Sequence, residues 1–318
     1  MVQENFNLDQ FGRVLFKATR RARRSCRWML LVSALTVVVL VMASSTNTSS
    51  TSVNRDSTRW IGTWATSAQH FVPESLQTYR NQSLRLIVRT SVGGKKVRIK
   101  ISNTFGDQPL LIGGAHIARR TAAADIDPAS DRTLMFHGNS STTVPARSMV
   151  VSDPVELDVP ALSDLAISLF LPETTTAATL HVLALQTSYV SPDMGDFMAA
   201  VKFPVAKTIH SWPFLTGVDV AASPRGAAIV AFGSSLTDGD GSTLDTNRRW
   251  PDVLAERLQK GDREAELGVL NEGIIGNRLL SDSHSPRQAG GPFGAVLEQL
   301  GPALGEAGLA RFERDVLA

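Results

Sequence analysis

A chain of 318 residues exceeds one typical domain, and an apolar content of 43% suffices for sizeable cores. The net charge of +2 is unevenly spread: Arg13, Lys17, Arg20, Arg21, Arg23, Arg24 and Arg27 crowd the start against Glu4 and Asp9, and the remainder is slightly acidic, which excludes a nucleic-acid footprint. Cys26 is the only cysteine, so an intrachain disulfide and a cysteine-based zinc site are excluded as well.

The first predicted element is residues 1–43. A basic flank leads into the uncharged run "WMLLVSALTVVVLVMA", Trp28 to Ala43, and small polar residues follow. That order is the pattern of a secretory signal peptide. As a helix the run would be about 24 Å long, slightly short of the roughly 20 residues that span a bilayer, so an uncleaved anchor is the alternative. The basic flank would hold its own end in the cytoplasm and export the rest. The expected location is secreted or extracytoplasmic, with membrane contact only through this segment.

Residues 44–57 are rich in Ser and Thr and read as a flexible linker. Residues 58–210 then show period-two stretches, among them "SLRLIVRTSV", "KKVRIKISNTF", "DLAISLFLP" and "TLHVLALQTSYV". Turn signals such as Gly93-Gly94, "FGDQP" and "LPETTT" separate them. Short alternating strands with regular turns predict an antiparallel β-sandwich, jelly-roll-like in type. Around "PFLTGVDVAASPRG" the texture changes. Within residues 224–318 the strand "GAAIVAF" is apolar on both faces, as a buried parallel strand is. The helix "WPDVLAERLQK" follows, with Pro251 near its first turn, and then the strand "LGVLNEGI". Strand–helix–strand order predicts a partial α/β domain and a multidomain chain.

Between that first strand and helix lies "AFGSSLTDGDGST", Ala231 to Thr243. A tight turn from strand to helix exposes a serine hydroxyl and aims backbone N–H groups at a developing oxyanion. Gly233 permits close approach there, and Gly239 can take a positive φ. The loop is not a G-x-S-x-G elbow. From composition alone it serves equally as a helix N-cap or as an anion nest without a P-loop lysine.

The wider sequence narrows these alternatives. "AIVAFGSSLTDGDGSTLDTNRRWPDVLAERL" followed by "GVLNEGIIGNRLLSD" resembles the SGNH, or GDSL, serine hydrolases. The similarity is to the bacterial branch in which a β-rich domain precedes the hydrolase, and it extends to "WIGTWATSAQ", "LRLIVRTSVGGKKVRIKISNTFG" and "LALQTSYVSP". The resemblance implies a flavodoxin-like hydrolase domain with Ser235 as nucleophile. The N–H groups of Ser235 and Gly276 would form the oxyanion hole, and Gly233, Ser234, Thr237, Asp238 and Asn277 the supporting loop. Ser234 replaces the family's usual aspartate, and its hydroxyl would cap the turn. Structural alternatives stay open: Gly276 can end a strand, and Asn277 can cap the next helix.

The family's later blocks, Gly-x-Asn-Asp and Asp-x-x-His, are absent. None of His70, His116, His137, His181, His210 and His284 has an aspartate three positions before it, and His284 is nearest in sequence to the hydrolase blocks. The expectation is a truncated esterase, weakly active or inactive, that needs no metal and no organic cofactor. Its substrates would be esters, among them acylated glycans and lipids. The competing expectation is an inert hydrolase remnant on a glycan-binding module, with Trp60, Trp64, Tyr189 and Trp212 stacking on sugars rather than anchoring a core.

Overall fold

The computed structural model describes residues 38–39, 59–70, 77–261, 266–283 and 304–317. The expected signal or anchor segment and the linker lie outside these residues, apart from Val38–Val39, whose backbone runs antiparallel to Val230–Ala231. His284 lies outside them too.

The principal strands, in chain order, are β1 (Arg59–Ala65), β2 (Gln82–Arg89), β3 (Gly94–Ser102), β4 (Gly114–Ala122), β5 (Asp164–Leu171), β6 (Thr179–His181), β7 (Ser188–Val190), β8 (Lys207–Ile209), β9 (Leu215–Ala222), β10 (Ala227–Gly233) and β11 (Leu267–Gly273). The helices used below are α1 (Ser235–Asp238), α2 (Trp250–Gln259) and α3 (Gly308–Phe312).

One antiparallel sheet runs β4-β5-β2-β7-β8, and β5 pairs with β2 without interruption from Asp164–Arg89 to Leu171–Gln82. A second runs β3-β9-β1. Alternation explains how they meet. Leu84, Leu86 and Val88 of β2, Ile167 and Leu169 of β5, Val97, Ile99 and Ile101 of β3, and Val218 and Val220 of β9 share one buried cluster. Burying each such side chain stabilises by about 1.5–3 kcal/mol, so a core of this size needs no cross-link. The opposite face of β3 carries Lys96, Arg98 and Lys100; on β9 it carries Asp219, which bonds Arg98 at 3.0 Å.

Two expectations change at this level. The β-rich region was expected to end near residue 210, but β9 pairs with both β1 and β3 and so carries it to Ala222. Strand β2 also breaks simple alternation, because both its faces are covered. On the second face Ile87 joins Ala118, Ala166, Tyr189 and Phe203. Arg85 lies fully buried beside them, donating to Ser168 Oγ and to the carbonyls of Ala124, Met198 and Ala200. Burial lowers its pKa to about 10, even though Asp131 and Asp125 favour the charge.

The predicted strand–helix–strand unit is present. Strands β10 and β11 are parallel and in register from Ala227–Leu267 to Gly233–Gly273. Helix α2 covers them with Ala255 and Leu258 against Val269. The expected two-sided burial of β10 is not: only Ala231 in it is buried, because among the described residues little packs on its flanks. Sheet β3-β9-β1 supplies cover for β11 instead. Ser91 Oγ accepts the Val269 N–H at 2.9 Å, and Gly62 and Gly268 bring β1 and β11 into backbone contact.

Candidate active site

Strands β10 and β11 end side by side at Gly233 and Gly273, so the loops after them leave from the same end of the parallel pair. The ladder continues one step, with Ile274 N–H donating to Gly233 O at 3.1 Å. The chain then turns sharply into α1. A β-carbon on Gly233 would sit 2.3 Å from Thr237 Oγ1, and one on Gly273 would sit 2.2 Å from Asp238 N. Both positions therefore have to be glycine for α1 to fold back onto the strand ends. Gly239 closes the turn at φ 114°, the left-handed conformation expected of it.

Ser235 is the first residue of α1 and is partly exposed, while Thr237 and Asp238 are buried. The expected hydroxyl cap from Ser234 is absent: its side chain makes no capping bond, and its carbonyl instead accepts the N–H groups of Thr237 and Asp238. An exposed Ser234 hydroxyl has water to bond, which removes the pressure to cap.

On the other loop Gly276 takes φ 74°. Among the described residues no acceptor bonds the backbone N–H of Ser235 or of Gly276, nor does any group bond Ser235 Oγ. The two loops are tied together by Asp238, whose Oδ2 accepts the Ile275 N–H at 2.7 Å, one residue before Gly276. Asn277 does not present its side chain to this site. Its Nδ2 donates to the carbonyls of Leu304 and Glu306, and its Oδ1 accepts from Arg311 Nε, so it anchors the segment before α3.

Beneath the loops runs a buried polar network that sequence reasoning did not anticipate. Arg311 of α3 is fully buried; Nη1 donates to Ser67 Oγ (2.7 Å), Glu272 O (3.0 Å) and Asp315 Oδ2 (2.9 Å), and Nη2 donates to Gly233 O (3.2 Å). Its guanidinium lies 4.0 Å from the centre of the Phe232 ring. Ser67 Oγ in turn donates to Glu272 Oε2 at 2.6 Å. Burial pushes the Glu272 carboxyl well above the usual range and the Asp315 charge adds to this, while Ser67, Arg311 and Lys100 oppose it. Asp240 is raised as well, by burial first and then by the charge of Asp238.

No described histidine bonds Ser235. His116 is held by Asp131 in the β-rich region at 3.0 Å. His181, on β6 of the β-rich region, does reach the loop: its Nε2 lies 3.0 Å from Asp238 Oδ1. The only sequence hint was its place in the alternating stretch "TLHVLAL". Among the described residues no group of three or more His, Cys, Asp or Glu side chains is placed to hold a metal ion.

Of the four aromatics considered for sugar stacking, Trp64, Tyr189 and Trp212 are buried. Trp212 meets Trp64 edge-on at 5.0 Å and donates its indole N–H to Ile87 O. Trp60 lines a groove of about 690 Å³ between the β1-β9-β3 face and residues 314–317, but Arg98 covers its ring at 4.6 Å. Ser235 and Gly276 do not line that groove.

Residues 229–314 match the family model of the GDSL-like lipase/acylhydrolases. No curated protein matches the chain significantly. Among solved structures the chain is similar to a family two carbohydrate esterase from Cellvibrio japonicus, at 12% identity and a TM-score of 0.17, over 70% of this chain and 51% of that one. The chain thus spans about half the length of that relative.

Proposed function

We propose that the GDSL-like lipase/acylhydrolase domain of this chain, residues 229–314, hydrolyses carboxylic esters with Ser235 as its nucleophile. The observation that carries this reading is the junction at the ends of β10 and β11, where a serine opening α1 and a left-handed glycine are joined through Asp238 and no described acceptor takes their N–H groups.

In this mechanism Ser235 Oγ adds to the ester carbonyl while a base takes its proton. The carbonyl oxygen becomes an oxyanion that accepts from the N–H groups of Ser235 and Gly276, each worth on the order of 3 kcal/mol in the transition state. Collapse expels the alcohol, and water then cleaves the acyl–serine ester to release the acid and restore the hydroxyl. In the family that base is the histidine of an Asp-x-x-His block; none of the six histidines of this sequence has an aspartate three positions before it, and robust Ser235-dependent turnover would make His284 the first to test as the base. The reading includes export through residues 1–43 and a substrate that is an acylated glycan, a lipid or a small ester. It also takes the β-rich region as a jelly-roll-like sandwich and the hydrolase region as flavodoxin-like.

The test is p-nitrophenyl acetate hydrolysis by the full chain, by Ser235→Ala and by Ser234→Ala. The expected result is weak turnover that falls to background in Ser235→Ala and persists in Ser234→Ala. Turnover equal in the native chain and Ser235→Ala overturns the assignment.

A further inference from the structure

His181 lies in the β-rich region, on β6, yet its ring reaches the nucleophile loop. The side chain is 2% exposed and that of Asp238 is 1% exposed, so water does not compete for their contact. The two ring nitrogens have different partners. Nδ1 lies 3.0 Å from the carbonyl oxygen of Ser67, and Nε2 lies 3.0 Å from Asp238 Oδ1. A carbonyl oxygen only accepts, and so does an ionised carboxylate. With Asp238 ionised both nitrogens have to donate, and a neutral imidazole has one N–H only; a neutral ring would instead accept a hydrogen bond from a protonated Asp238 and keep a single N–H, on Nδ1. Asp238 spends its other oxygen on the Ile275 N–H at 2.7 Å, and with that group as a carboxylate the ring that satisfies both contacts is the imidazolium.

We propose that His181 is a positioning residue of the esterase site: as an imidazolium donating from both ring nitrogens, it holds Asp238 and, through it, the Ile275–Gly276 turn against the β-rich region. The inference rests on the assignment of Gly276 as an oxyanion donor. An oxyanion donor acts through its direction, and a turn held at one point swings. Asp238 supplies that point for Ile275, and a carboxylate with one partner is free to rotate about its χ angles. The imidazolium removes that freedom, because Ser67 O and the Trp212 ring, 5.8 Å away, fix the imidazole plane. Ser67 is itself fixed through its hydroxyl by Glu272 and Arg311, so the clamp is anchored in the buried network under the loops. Charge-assisted bonds of this kind are about twice as strong as neutral ones.

The experiment uses the full chain at neutral pH, with its histidine rings labelled with nitrogen-15. The expected spectrum shows two slowly exchanging ring N–H protons on His181, and Asp238→Asn leaves only the Nδ1 proton, since an amide can donate back to Nε2. A single ring N–H in the native chain overturns the proposal. Amide exchange gives a second reading. His181→Gln keeps a donor for Asp238 and preserves protection at Ile275 and Gly276. His181→Phe, which fills the space without a donor, exchanges on the order of tenfold faster at those two amides while β2 and β5 stay protected. Unchanged exchange there in a folded His181→Phe chain also overturns it. Should that variant fail to fold, the ring protons of the native chain still decide. Neither readout depends on ester turnover, so a failure of the Ser235 assignment appears separately, as hydrolysis indifferent to Ser235→Ala.

Discussion

Gly268 of β11 lies so close to Gly62 of β1 that a β-carbon on it would stand 2.2 Å from the Gly62 carbonyl oxygen. The reverse contact is softer, since a β-carbon on Gly62 would meet the side chain of Leu270 at 2.7 Å. Backbone cannot move aside as a leucine can. Gly268→Ala is therefore expected to destabilise by about 3 kcal/mol or more, and Gly62→Ala by less. Urea denaturation of the two variants measures the difference, and equal midpoints would show that the sheets do not meet as described.

Gly276→Ala places a β-carbon at φ 74°, 2.8 Å from Leu304 Cδ2. The turn has to relax, and the N–H of residue 276 moves with it. The expected kinetic signature is a fall in kcat of on the order of 10²-fold, or to the detection limit, with KM nearly unchanged. A rise in KM at constant kcat would place Gly276 in substrate binding instead.

Arg311→Met removes the donor that Ser67, Asn277, Asp315, Glu272 O and Gly233 O share. A buried charge pair broken on one side costs about 3–5 kcal/mol. Limited proteolysis should cut residues 304–317 first, because Asn277 and Arg311 together secure them. A variant as resistant as the native chain would contradict that role.

Glu272 gives the stability a pH dependence of defined sign. Its folded-state pKa lies above the unfolded one, so the folded chain holds the proton more tightly. That contribution is fully present below the unfolded value and is lost as pH rises through the folded value, with a slope of at most about 1.4 kcal/mol per pH unit. Glu272→Gln, which accepts from Ser67 without a charge, is expected to flatten the decline and to equal or exceed the native chain at neutral pH. Melting curves across pH 4 to 8 test this, and parallel curves for the two proteins would refute it.

Export through residues 1–43 is tested by a reporter fused after Thr51. It should appear outside the cytoplasmic membrane, and activity confined to the cytoplasm would reject the reading.

Local signals made part of this architecture legible beforehand. The parallel pair and α2 were readable because Pro251, Gly233 and the apolar runs act within a few residues of themselves. Ser235 and Gly276 were reached through a motif, and the structure sets their loops side by side. The clamp of His181 was not readable, since its partner Asp238 is 57 residues away and only the packing of β6 under α1 joins them. The same holds for Arg85, whose acceptors are main-chain carbonyls that carry no sequence signature. Strand β9 was missed because it follows a Pro-containing stretch where the pattern changes, and its partners β1 and β3 are far back in the chain.

Asp245, at φ 61° in the loop before α2, accepts from Gln186 Nε2, Thr187 N–H and Thr187 Oγ1. Together with the Gly62–Gly268 contact, this bears on how such a chain can be recombined. A crossover near residue 224 would exchange a β-rich part and a parallel-strand part across the surface on which these contacts lie. Residues 67, 181, 186 and 187 would arrive without the partners they contact here, and the descendant would inherit the Ser235 loop without the contacts beneath it. Exchange of either part is therefore expected to be tolerated best from donors that already agree at those contacts.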